Sequence, residues 1–129
     1  GRAAELIRAR QAWRADVFIW ADVGVKHATP LGQPDLAQSA RDTAYRGLAD
    51  ALIVSGVATG SVASRADLAT VRQAVADRPL LVGSGVTLEN IDPRAADGFI
   101  IGTSIKENGQ ICVDLARALV NRVKNEKLS

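Results

Sequence analysis

The alternation of secondary-structure signals constrains this chain more than any other feature. Four short apolar runs of strand character recur: "DVFIWADV" from Asp16, "ADALIVSG" from Ala49, "RPLLVGSG" from Arg78 and "DGFIIGTS" from Asp97. The first is rich in β-formers and reads as a strand buried on both faces; Pro79 can open the third, where no ladder donor is required. What separates the runs has helical character. Asp35 predicts the cap of a helix from Leu36 to about Leu48. Ser64 and Asp67 have capping-box spacing before a helix from Arg65 to Ala76. Thr87 predicts the cap of a short helix near Leu88 to Ile91. Asp114 predicts the cap of a last amphipathic helix to about Lys124, with Leu115, Leu119, Val120 and Val123 inward. A leading helix places Leu6, Ile7, Ala9 and Trp13 on roughly one face.

No hairpin signal joins any two of these runs, so the order α-βα-βα-βα-βα implies a parallel sheet with right-handed crossovers. Two architectures share that pattern, an open doubly wound sheet and part of a (β/α)8 barrel. Polar and glycine residues gather after every strand and favour the barrel, in which all strand ends of one sense converge on one face. Asp22, Lys26 and His27 follow the first run; Ser55, Gly56, Thr59 and Gly60 follow the second. The expected fold is therefore α/β, four parallel βα units of a (β/α)8 barrel preceded by one helix, with residues 1–129 forming one half-barrel domain.

The third and fourth runs end in related turns, Gly83-Ser84-Gly85 and Gly102-Thr103-Ser104. Backbone N–H groups bind phosphate readily, and glycine lets the backbone approach without a Cβ in the way. The loops after the last two strands of a barrel often build such a site, here with "TSIKE" as a short helix whose positive end faces the anion. The other reading is that these glycines only permit tight strand-to-helix turns. After the first strand, Asp22, Lys26 and His27 bring a carboxylate, an ammonium and an imidazole within six positions. They are candidates for general-base, Schiff-base or phosphate-contact roles. Alternatively Asp22 caps a turn and the other two are solvated.

Composition removes several function classes. Sixteen basic and 14 acidic residues leave a net charge of +2, and aromatic residues make up 4%. That gives little pull toward nucleic acid and few stacking platforms. No apolar run approaches the roughly 20 residues of a membrane span, and no signal peptide is visible. Cys112 is the only cysteine; no internal disulfide can form, so a reducing cytoplasm is the expected location, and it reads as a small apolar filler near a helix start. His27 stands without a ligand cluster, so neither a metal nor another cofactor is expected. The chain has no methionine and opens on a running helical pattern, which suggests a removed start or a piece of something longer.

The segments "ADVGVKHATPLG", "DTAYRGLADALIVSGVATG", "LLVGSGVTLENI" and "ADGFIIGTSIKENG" together resemble the BtpA family of (β/α)8-barrel proteins, named for a cyanobacterial member implicated in photosystem I biogenesis. The resemblance runs in the family's order and covers its C-terminal half, strands five to eight. The N-terminal half, with its Pro-Gly first-strand turn and Glu-Asn-Phe-Gly-type segment, has no counterpart here. The resemblance implies a phosphate-binding barrel, an enzyme or binder of phosphorylated metabolites whose reaction it does not name, and in photosynthetic organisms a peripheral link to thylakoid membranes. The alternatives are a non-catalytic photosystem I biogenesis or stability factor acting through protein contacts, and a truncated half-barrel without independent function. Two unguarded apolar edges predict a homodimer, aggregation, or pairing with a missing N-terminal half.

Overall fold

Strands form in all four apolar runs of the computed structural model, which describes residues 2–23, 35–56 and 60–127. They are Trp20–Asp22 (β1), Ala51–Ser55 (β2), Leu80–Gly83 (β3) and Gly98–Ile100 (β4), parallel throughout and in the order β1-β2-β3-β4. The helices are Ala3–Ala12 (α1), Leu36–Arg41 (α2), Arg65–Ala74 (α3) and Val113–Lys127 (α4). A doubly wound sheet reverses its strand order at a switch point. Here the order runs straight through, and the helices pack on one face of the sheet. Leu52, Val54, Leu80 and Val82 meet Ala40 of α2, Leu68 and Val71 of α3 and Leu119 of α4 in one core. This is half of a (β/α)8 barrel.

Alternation along each strand sends the remaining side chains to the opposite face, the inside of the barrel. Register aligns Asp22 with Ile53, Leu81 and Gly98 in one row, and Ser55 with Gly83 and Ile100 in the next. No described helix covers this face. Trp20 is 59% exposed and Ile100 43%.

Two of the four expected N-caps hold. Asp35 accepts from the Ala37 amide, and Ser64 accepts from that of Asp67 at 3.0 Å. Other boundaries move. β1 is three residues long and exposed at both ends instead of being buried on both faces, because it pairs only with β2 on a face the half-barrel leaves open. Leu36 to Leu48 splits into α2 and a π-helical segment, Asp42–Arg46. Residues 88–90 form a turn and no helix. "TSIKE" is also no α-helix: Thr103–Ile105 makes one 3-10 turn, after which Lys106–Glu107 (β5) pairs antiparallel with Gln110–Ile111 (β6). Asn108 and Gly109, with φ of 49° and 78°, turn that hairpin; Asn-Gly is the strongest short hairpin signal a sequence carries. α4 begins at Val113, so Asp114 lies in its first turn and is not its cap. Val120 is half-exposed and not inward, and α1 buries none of its residues.

The lower ends of the strands are closed by a device that occurs twice. Before β2, the Asp50 carboxylate accepts from the Ile19 amide at 2.7 Å and from Arg10 of α1 at 2.8 Å. Before β4, the Asp97 carboxylate accepts from the Leu80 amide at 2.8 Å and pairs with Arg72 of α3. Arg10 and Arg72 stand in matching sequences, "ARQAW" and "VRQAV". The Ile19 amide, helped by Arg10, holds the Asp50 carboxyl below its ordinary pKa against a partial desolvation cost. Arg78 adds a third lower-end clamp, donating to the Ala49 carbonyl at 3.2 Å and to Asp77 at 2.9 Å.

Candidate functional site

At the upper ends of β2, β3 and β4 the chain is built around absent side chains. A Cβ on Gly56 would lie 2.2 Å from the Ser61 carbonyl oxygen, and one on Gly85 would lie 2.4 Å from the Ser61 carbonyl carbon. Both glycines are therefore the surfaces on which the Ser61–Val62 backbone closes. Gly83 is also crowded: its Cβ would meet Ile53 Cγ2 at 2.6 Å and Ser55 Oγ at 2.9 Å. The close-packing role of Gly85 is thus shown directly. Ser61 is the common partner; nothing in a run of small residues marks one of them as such.

Ser84 and Gly85 are successive left-handed residues, with φ of 64° and 71°. A serine there carries strain that glycine would not, and its side chain is exposed. Asn90 holds the turn from behind. Its Nδ2 donates to the Gly85 carbonyl at 2.8 Å, while its Oδ1 accepts from the Thr87 amide at 2.8 Å. The Thr87 hydroxyl accepts in return from the Asn90 amide at 3.3 Å. That is the reciprocal geometry of a capping box without the helix.

The two glycine turns are fastened together. Ser104 Oγ donates to the Val86 carbonyl at 2.6 Å, which sets Gly102–Ser104 beside Gly83–Gly85. This bond uses the one proton of the Ser104 hydroxyl, so Ser104 acts as a clip, while Thr103 and Ser84 carry exposed hydroxyls. Gly102 differs from its neighbours: no atom lies within 4 Å of where its Cβ would stand, and its φ of −133° requires no glycine. Its small size leaves open space at the corner.

Ser55, Gly56, Gly83–Gly85 and Gly102–Ser104 thus form one corner. Asp22 lies apart from it. Asp22 is exposed on the same open face, one row below Ser55, which is about 7 Å along the strand. It is also three strand spacings, about 14 Å, from β4. Lys26, His27 and Thr59 lie outside the described residues. Among the described residues no cluster of His, Cys, Asp or Glu could hold a metal ion, and Cys112 is a partly buried free thiol. No described helix is long and apolar enough to cross a membrane. The corner offers backbone amides, the exposed hydroxyls of Ser84 and Thr103 and room, which suits anion binding; it holds no described acid or base.

Half of a (β/α)8 barrel with a glycine-built corner at its upper strand ends defines the structural class. The comparison with known families is consistent with it: residues 1–126 match the model of the BtpA family, and the chain belongs to that family. It is similar to the photosystem I biogenesis protein BtpA of Synechocystis, 46% identical over 113 residues, covering 86% of this chain and 39% of that protein, in its C-terminal part. An uncharacterized protein of Thermococcus kodakarensis is 38% identical over 100% of this chain and 51% of its own length. One from Caenorhabditis elegans is 32% identical over 95% of this chain and 45% of its own. The chain spans about half the length of the curated relatives it matches.

Proposed function

We propose that the corner between Gly83–Gly85 and Gly102–Ser104 binds the phosphate of a small phosphorylated metabolite of the cytoplasm. One observation carries the reading: the Ser104–Val86 bond holds two backbone-rich turns side by side at adjacent strand ends, with Gly102 open between them and solvent. The Ile105 amide donates to the Gly102 carbonyl at 3.3 Å, and a phosphate oxygen can accept from the amides of Thr103 and Ser104 at the start of this 3-10 turn. Asp22, Lys26 and His27 are the candidates for any chemistry on the bound ester.

The photosystem name belongs to the Synechocystis protein. Relatives in an archaeon and a nematode, organisms without photosynthesis, match 100% and 95% of the chain. A metabolite-level role fits all three, whereas a photosystem assembly factor working by protein contact fits one.

Gly102→Ala tests the site. The added methyl meets no protein atom but occupies the anion's approach. We expect phosphate-induced amide shifts in the wild-type chain at the two turns, and a loss of affinity of at least tenfold in the variant with its melting temperature unchanged. Equal affinity in the two proteins would place the phosphate elsewhere.

A further inference from the structure

We propose, resting on the phosphate reading of the corner, that Asn90 is its positioning residue and that the Val86 amide is the inner donor Asn90 presents to the anion.

Backbone amides of a folded chain are nearly all paired. At the lower end of β3 this holds, and the Leu80 amide donates to Asp97. At the upper end, among the described residues, the amides of Ser84, Gly85 and Val86 find no acceptor. Val86 is 4% exposed, and an unpaired amide in so buried a residue is costly.

Asn90 explains how this amide is held. Its Nδ2 donates to the Gly85 carbonyl at 2.8 Å, and its Oδ1 accepts from the Thr87 amide at 2.8 Å. The Gly85 carbonyl and the Val86 N–H are opposite ends of one trans peptide unit, so they point in opposite directions. Drawing the carbonyl to Asn90 therefore turns the Val86 N–H away from it. The next peptide unit is held with the reverse polarity. Its N–H, that of Thr87, goes to Asn90; its carbonyl, that of Val86, faces away and accepts from Ser104 Oγ at 2.6 Å. The N–H and carbonyl of Val86 thus leave on the same side, and the carbonyl meets the Gly102–Ser104 turn there. The N–H is left for a ligand on that side.

The same clamp accounts for the strain in the turn. Ser84 and Gly85 are both left-handed, and a serine stays so only where its surroundings over-determine the backbone. Here the Asn90 amide holds the Gly85 carbonyl while the Ser61–Val62 backbone packs against the Gly85 Cα. Asn90 is itself exposed, so the clamp gains little from burial; what it fixes is the direction of two peptides. A tetrahedral oxyanion placed there takes one oxygen to the Val86 N–H and another to the amides of Thr103 and Ser104. With no described acid or base in the corner, the grip depends on how these amides are aimed.

The test uses the whole 129-residue chain, inorganic phosphate and backbone amide spectra. Phosphate should move the Val86 amide resonance downfield and slow its hydrogen exchange. Asn90→Asp keeps an acceptor for the Thr87 amide but removes the donor to the Gly85 carbonyl. That variant should bind phosphate at least tenfold more weakly with its far-ultraviolet dichroism retained. At saturating phosphate its Thr103 and Ser104 amides should still shift and its Val86 amide should not, a pattern that general loosening of the turn does not produce. Wild-type affinity in Asn90→Asp overturns the role of Asn90. Phosphate binding by the unmodified chain that leaves the Val86 amide unmoved overturns the inner donor and spares the corner. Failure of the unmodified chain to bind millimolar phosphate removes the corner reading and the role of Asn90 with it. Should Asn90→Asp not fold, exchange at Val86 in the unmodified chain decides alone: slowing by phosphate supports the donor, and an unaltered rate overturns it.

Discussion

Four glycine-to-alanine substitutions separate backbone conformation from close packing, and their expected costs come straight from the local geometry. At Gly102 neither effect operates: the φ is −133° and the new methyl meets nothing within 4 Å. Stability should stay within about 0.5 kcal/mol of wild type. At Gly60, φ is +80° and space is open, so only the left-handed conformation is charged, about 1–2 kcal/mol. At Gly56 no left-handed backbone is involved, but the methyl would sit 2.2 Å from both the carbonyl oxygen and the hydroxyl of Ser61. Backbone must move, and overpacking of that kind costs about 1–3 kcal/mol. Gly85 combines the two, φ of +71° and a carbonyl carbon at 2.4 Å, for a sum of about 2–5 kcal/mol. Urea unfolding followed by circular dichroism gives each value, and for a chain of this size a kilocalorie moves the melting temperature by roughly 3–5 °C. The rank order Gly102, Gly60, Gly56, Gly85 is the claim. If Gly85→Ala cost no more than Gly60→Ala, the Ser61 loop would not be seated on Gly85, and the corner described above would lose its floor.

Two further outcomes follow from the lower end of the sheet. Asp97→Ala strips the Leu80 amide of its acceptor and Arg72 of its partner; a loss of about 1–3 kcal/mol in urea unfolding is expected, and none would mean that water replaces the carboxylate. Asp50 is held below its ordinary pKa, so its contribution is present above the unfolded value of about 3.9 and is lost as pH falls through the folded one. The stability gap between wild type and Asp50→Asn should therefore be full at neutral pH and close below about pH 4; a gap that did not vary with pH would assign the effect to hydrogen-bond geometry rather than to charge.

The parallel half-barrel was legible because hydrophobic runs and caps are local: a buried β-former run or a Ser-x-x-Asp pair declares itself within a few residues. Edge and interior status is not local. "DVFIWADV" has the composition of a central strand; in this structure β1 pairs only with β2, and Trp20 is 59% exposed. Asn108-Gly109 carries a hairpin signal, but the strands around it, Lys106–Glu107 and Gln110–Ile111, are two residues long and mostly polar, so no strand pattern accompanies it. The glycine turns were found but their roles were not separable. Gly85 and Gly102 read alike in sequence, and the difference between them is the Ser61 backbone, some two dozen positions upstream of the first. Ser104 likewise read as a ligand, and the carbonyl that takes its proton belongs to Val86, eighteen residues away.

The two ends of the sheet divide the work, and the division explains why the site can be built from glycine. Removing side chains at a strand end forfeits apolar burial and raises the entropy lost on folding. In this chain that happens at the upper ends, where Gly56, Gly83, Gly85 and Gly102 follow one another around the rim. The lower ends carry the opposite chemistry: Asp50 and Asp97 each join a strand amide to a helix arginine, in the same arrangement twice. Because each clasp binds consecutive strands through one carboxylate, strand register is fixed from below and need not be fixed at the rim. The repeat of "ARQAW" and "VRQAV" ahead of β1 and β3 shows which pairs are locked, β1 to β2 and β3 to β4. The β2–β3 seam is held by its ladder and, at the upper end, by the Ser61 loop lying on Gly56 and Gly85. At its lower end the same seam carries the Arg78 clamp, in which the Asp77 carboxylate also accepts from the Tyr45 hydroxyl at 2.6 Å. Loosening the loop, as Gly85→Ala does, should then weaken the upper end of the β2–β3 seam while the Arg78 clamp still holds its lower end.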